Sequence, residues 1–168
     1  MNIIVTNDTR TEAFPDSFDW ALPDAQRRAQ EIRESINMDS VLCKKLRQAG
    51  HSVTLFDARE KDGIKPIDDP SRAASRLTQL IVEAQANGLV FDLHYFKNFD
   101  YGVNCLKQLR NFHALPVDMR IVVYSRFLKE PKEDYPRRLV EECEIPLNRI
   151  IDRHQKDISE VIAAFPKA

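Results

Sequence analysis

Five short runs of β-branched or apolar residues, separated by helix-period segments, limit what this sequence can fold into. They occupy residues 2–6 (NIIVT), 52–56 (SVTLF), 88–92 (GLVFD), 120–124 (RIVVY) and 149–152 (RIID). Near-continuous apolar runs of this length suit strands covered on both faces, as in a parallel sheet. Between them the period changes. In 38–50, Val41, Leu42, Leu46 and Ala49 share one side and Gly50 marks a helix C-terminus. In 71–88, Ser71 is placed to cap, Leu77, Leu80, Ile81 and Ala84 form the stripe, and Asn87-Gly88 ends it. Residues 101–112 repeat the pattern with Val103, Leu106 and Leu109; 136–144 is a short helix begun by Pro136, and 155–165 a last one. Alternation of this kind, with right-handed crossovers, predicts a three-layer α/β domain: a doubly wound, parallel, five-stranded sheet.

One connection is too long for a minimal version of that fold. The chain from Asp8 to Gly50 far exceeds one crossover helix, so residues 10–37 read as an inserted loop and helix within a single domain of residues 1–168. Its first half is loop-like and carries Phe14, Phe18 and Trp20, which suit a small satellite core; its second half, from Pro23-Asp24, reads as a polar helix. With 25 basic against 26 acidic residues the net charge is -1, which gives no general pull toward nucleic acid or an anionic membrane. No apolar run approaches the roughly 20 residues that span a bilayer. The opening MNIIVTNDTR has no basic leader, so a cytoplasmic location is expected. Cys43, Cys105 and Cys143 are far apart and odd in number, and read as reduced, half-buried packing residues.

In open α/β sheets, ligands bind beyond the carboxyl ends of the strands, near the point where strand order reverses. Those ends carry Asn7-Asp8 after the first run, Asp92 at the third, Ser125 at the fourth and Asp152-Arg153 at the fifth. Two carboxylates, a hydroxyl and a guanidinium gathered there have an obvious chemistry. The carboxylates can hold Mg²⁺, one of them can attack a phosphoryl group, and the hydroxyl and cation can bind its oxygens.

The same residues resemble those of a receiver domain of two-component response regulators, a flavodoxin-like fold, over most of the chain outside roughly 10–37. In 3–9 (IIVTNDT), Asp8 stands at the metal-ligand place, with Asn7 where the family has a second acid; Asn7 can hydrogen-bond a metal-bound water. In 90–102 (VFDLHYFKNFDYG), Asp92 stands at the phosphoacceptor, and Asp100-Tyr101-Gly102 resembles the Asp-Gly that opens the next helix. In 121–125 (IVVYS), Ser125 stands at the hydroxyl residue that follows phosphorylation. Arg153 occupies the place of the family lysine and Ile150 that of its aromatic switch residue.

The resemblance implies a signalling domain with Mg²⁺ at Asp8 and Asp92 and the phosphate contacted by Ser125 and Arg153. Its partners would be a histidine kinase or phosphotransfer protein and a downstream protein, met through the region after the fourth strand. It equally allows a degenerate pseudo-receiver that needs no metal and works only as an interaction module, a form favoured by Asn7 and the missing lysine.

Plainer roles exist for each residue. Asp92 suits a turn, Asp8 the opening of a long connection, and Ser125 a loop amide. Arg153 suits a surface pair with Asp152 or Asp157, and His94 an ordinary loop position. The alternative function is a small enzyme or nucleotide- or phosphate-binding protein using the same strand ends. Against it, the four glycines, at 50, 63, 88 and 102, include none after the first strand to cradle a phosphate.

Overall fold

A computed structural model describes residues 1–7, 20–57, 67, 69–93, 99–112, 115–125, 128, 134–153 and 158–166. Its strands are β1 (Asn2–Asn7), β2 (Ser52–Asp57), β3 (Gly88–Phe91), β4 (Arg120–Ser125) and β5 (Ile150–Asp152). Its helices are α1 (Ala25–Gln48), α2 (Pro70–Glu83), α3 (Phe99–Phe112), α4 (Tyr135–Cys143) and α5 (Ile158–Ala163), with one 3-10 turn at Leu147–Arg149. All strand pairs are parallel, in the order β2-β1-β3-β4-β5. This is the flavodoxin-like arrangement, and strand order reverses between β1 and β3.

The apolar runs have two faces to fill because successive strand residues point oppositely. Ile4, Leu89, Phe91, Ile121 and Val123 join the core made with α2, α3 and α4. Ile3, Val5, Val90, Val122 and Tyr124 point the other way and join α1 and α5. The three layers follow from that division.

Local signals explain the element ends, with corrections. The segments read as a polar helix before residue 37 and a second helix from 38 form one helix of 24 residues. No glycine or proline interrupts Ala25–Gln48, so nothing stops the hydrogen-bond ladder at the change from polar to amphipathic sequence. Gly50 follows the Ala49 cap with φ of +90°, the left-handed position glycine takes most easily. The cap of α2 is Asp69 and not Ser71: the Ser71 amide donates to Asp69 Oδ1 at 2.8 Å, and Pro70 fills the first helical position. The same helix stops at Glu83, before Asn87-Gly88. Gln85 turns the chain with φ of 48°, and Gly88 already belongs to β3.

The satellite core expected around Phe14, Phe18 and Trp20 is described only at Trp20. That residue is 56% exposed with the Arg33 guanidinium 6.0 Å from its ring centre, while Phe14 and Phe18 lie outside the described residues. The three cysteines form no disulfide and are buried, not half-buried. Burial pushes the Cys105 thiol up to about 12 and the Cys143 thiol up to about 11, so neither is a nucleophile at neutral pH. No helix among the described residues is long and apolar enough to cross a membrane.

His51, between α1 and β2, couples this core to pH. It is buried, its ring meets Phe165 edge-on at 6.4 Å, its Nε2 has no hydrogen-bond partner, and the Met1 amine nitrogen lies 3.3 Å from its Nδ1. Burial first, and then the positive charge at Met1, lowers its pKa from the ordinary 6.5. The unfolded chain therefore binds the proton more readily than the folded one. Stability is complete above pH 6.5 and falls as pH drops through the lower folded value. Urea midpoints should fall between about pH 7 and about pH 5, and His51→Gln should flatten that part of the slope. A slope unchanged by His51→Gln would place the titrating group elsewhere.

Candidate functional site

The carboxyl ends of four strands meet around Asp92. This residue follows β3 directly, and its amide donates to the Thr6 hydroxyl of β1 at 2.9 Å. The next amide, Leu93, donates to Ser125 Oγ at the end of β4 at 3.2 Å. An amide can only donate, so Ser125 accepts there and sends its own proton to Asp92 Oδ1 at 2.6 Å. Asp92 Oδ2 accepts from Arg153 Nη1 at 2.9 Å. Backbone pairing carries Arg153 to this point, because its amide donates to the Ser125 carbonyl at 3.0 Å, one step beyond the β4–β5 ladder. The guanidinium carbon lies 4.9 Å from the centre of the Tyr124 ring.

This network is buried. The Asp92 and Arg153 side chains are 8% and 2% exposed, and Ser125 is fully buried. A carboxylate taken from water is costly unless its oxygens carry donors, and here both do. The short contact from Ser125 is of the charge-assisted kind.

Of the residues singled out in the sequence, Asp92, Ser125 and Arg153 come together. The Arg153 side chain is buried and pairs with Asp92, so it is not the surface residue expected; Asp157, one of the partners expected for it, lies outside the described residues. The physical reason is the placement of Arg153 immediately after β5, where the β4–β5 pairing continues by one step and the Asp92 carboxylate lies just beyond β3. Ser125 does satisfy a loop amide, and it holds Asp92 as well. Asn7 ends β1 opposite Asp57. Asp8 and His94 lie outside the described residues. Asp100 belongs to the first turn of α3 and pairs with Arg138 of α4 at 2.6 Å on the surface, apart from Asp92. Ile150 opens β5 half-buried and packs toward the α2–α4 side, while the aromatic face beside the cation comes from Tyr124.

Two residues of the network went unread in the sequence, Thr6 and Tyr124. Both looked like ordinary strand filling, and the only signal was their place at or next to a strand end. Gly102 gains a role too. A Cβ there would lie 2.2 Å from the Leu93 carbonyl oxygen and 2.7 Å from Leu93 Cα, so α3 approaches the loop after Asp92 closely only because residue 102 has no side chain. Tyr101 fixes the same turn from its other side by donating to the Ile67 carbonyl.

The described donors do not by themselves suit Mg²⁺. Among the described residues Asp92 is the carboxylate in the network, it is paired with Arg153, and no group of three His, Cys, Asp or Glu can hold a metal; Asp8, the other expected ligand, lies outside them. A hard dication beside a buried guanidinium would be repelled. No family model, curated protein or solved structure matches this chain.

Proposed function

We propose that this chain is a receiver-like protein-interaction domain in which Asp92 anchors a buried ion pair and does not accept a phosphoryl group. The observation that carries this reading is the Arg153 guanidinium on Asp92 Oδ2, with the Ser125 hydroxyl on Oδ1. A nucleophilic carboxylate needs an oxygen open to the incoming phosphorus, and both oxygens here face inward to fixed donors. Arginine suits the anchoring role better than lysine, since its planar fork can hold a carboxylate and rest against the Tyr124 ring at once. The ends of β1, β3, β4 and β5 are then tied by one network, which is a way to present a rigid surface. The partner is a protein docked beyond β4. There α4 shows Val140, 41% exposed, beside the Arg137–Glu141 pair at 2.8 Å.

The test is titration of Mg²⁺ with beryllofluoride, a mimic of a phosphoryl group on aspartate, followed by backbone NMR. The amide peaks of Leu93, Ser125 and Arg153 should stay in place at saturation. A saturable shift of these peaks that Asp92→Asn abolishes would overturn the proposal and make Asp92 a phosphoacceptor.

A further inference from the structure

β2 is one edge of the sheet, and its register fixes which of its backbone groups face outward. The Ser52 amide donates to the Met1 carbonyl at 3.0 Å, and β1 and β2 then run in step from Asn2–Ser52 to Asn7–Asp57. In a parallel ladder the amide and carbonyl of one residue point to one side, and those of the next point to the other. Ser52, Thr54 and Phe56 therefore bond to β1, while Val53, Leu55 and Asp57 turn their amides and carbonyls away from the sheet. Among the described residues, Arg47 Nη2 donates to the Val53 carbonyl at 3.5 Å, and the Leu55 amide and carbonyl have no partner. The Leu55 side chain is itself 49% exposed.

Folded chains guard such edges by shortness, by charged side chains, by proline or by bulges. The other edge is guarded: β5 is three residues long and ends in Asp152, with Arg149 before it and Arg153 after. β2 has six residues, with no proline, no charge before Asp57 and no bulge in its register. Its Val53, Thr54 and Phe56 are strong strand formers. An edge of this kind is a template for another strand, and β2 is complementary to itself. When β2 meets an antiparallel copy about a two-fold axis at Leu55, Leu55 stands opposite Leu55, and Val53 opposite Asp57. These are the outward-facing residues, so each pair exchanges both of its amide–carbonyl bonds. A slip of one residue would set outward groups against inward ones. Charge agrees with this register. Arg47 is exposed, sits at the Val53 carbonyl and has no carboxylate partner among the described residues. The two-fold brings it to the register position of Asp57 in the second copy.

We infer that two copies of this chain pair antiparallel through β2 and close into a two-fold dimer with one continuous sheet. Closure uses up the open edge of both copies, so assembly stops at two. β4 and β5 lie at the far side of the sheet, so a protein docked on α4 and the second copy do not compete. The dimer does not rest on the role given to Asp92.

Sedimentation equilibrium over a concentration series, paired with amide hydrogen exchange, tests this on the full chain. The parent should follow a monomer–dimer equilibrium. The Val53 and Leu55 amides should exchange more slowly as the dimer fills, while Thr54 and Phe56, already bonded to β1, should not change. Leu55→Lys sets like charges opposite each other at the axis and should weaken the dimer about tenfold or more. Arg47→Asp and Asp57→Arg should each weaken it, and the two together should restore it. Val82→Lys, at an exposed valine of α2, should leave the dimer unchanged. A monomer at every concentration would overturn the proposal, and slow exchange of Val53 and Leu55 in that monomer would show the chain covering its own edge. Assembly past the dimer, a dimer that Leu55→Lys leaves intact, or a charge exchange that restores nothing would each overturn it as well.

Discussion

Asp92→Asn should lower the unfolding free energy by about 3–5 kcal/mol, the usual cost of removing one member of a buried ion pair. For a chain of this length that is a fall in Tm of about 6–20 °C. The substitution preserves shape, so its effect isolates charge. The asparagine oxygen can still accept one donor, but its amide group then faces the other. The Arg153 guanidinium, 2% exposed, is left without its balancing charge. Arg153→Met should be destabilising for the reciprocal reason, since the buried Asp92 carboxylate then loses the guanidinium on its Oδ2. The double variant Asp92→Asn/Arg153→Met should recover about 1–3 kcal/mol relative to the sum of the two single losses, because neither partner is then a stranded charge. Urea unfolding of the four proteins measures this coupling. Additive losses, or an Asp92→Asn loss below about 0.5 kcal/mol, would mean that Asp92 is a solvated turn residue of the ordinary surface kind.

That Asp92, Ser125 and Arg153 share one site was legible in the sequence and the direct pairing of Asp92 with Arg153 was not, and the difference is physical. Asp92 stands out because an apolar run ends on it, and a parallel sheet puts such ends together at one edge. Ser125 and Arg153 are found by the same rule. Which way a long side chain turns from a strand end is set by what lies across the sheet, 61 residues away in sequence. Local reading therefore favoured Asp152 and Asp157 as partners of Arg153. Thr6 was invisible because a β-branched residue at the end of NIIVT is what any strand would show. The α2 cap was misread because serine attracts attention, whereas the informative pair was Asp69 followed by Pro70. The length of α1 was cut short because a change of amphipathicity resembles a boundary, although no glycine or proline stands there to end the helix.

Gly102 offers the second large effect, and its sign runs against helix propensity. Within α3, alanine in place of glycine would ordinarily favour the helix by about 1 kcal/mol. At residue 102 the added Cβ would meet the Leu93 carbonyl oxygen at 2.2 Å and Leu93 carbon atoms at 2.7 and 2.8 Å. These are backbone atoms, so no side-chain rotation relieves the clash. Either α3 or the loop after Asp92 must move. Overpacking of this kind costs about 1–3 kcal/mol or more, so Gly102→Ala should be destabilising overall. Any shift of Leu93 disturbs its amide bond to Ser125 Oγ, and through Ser125 the hydrogen bond to Asp92. The exposed neighbour Asn104 provides the control, since Asn104→Ala on the same helix should be neutral or slightly stabilising. Urea midpoints should therefore move in opposite directions for the two alanine variants, or fall for Gly102→Ala alone. The Leu93 and Ser125 amide peaks should shift only in Gly102→Ala. A Gly102→Ala protein as stable as its parent, with those peaks unmoved, would show that α3 does not press on the Asp92 loop.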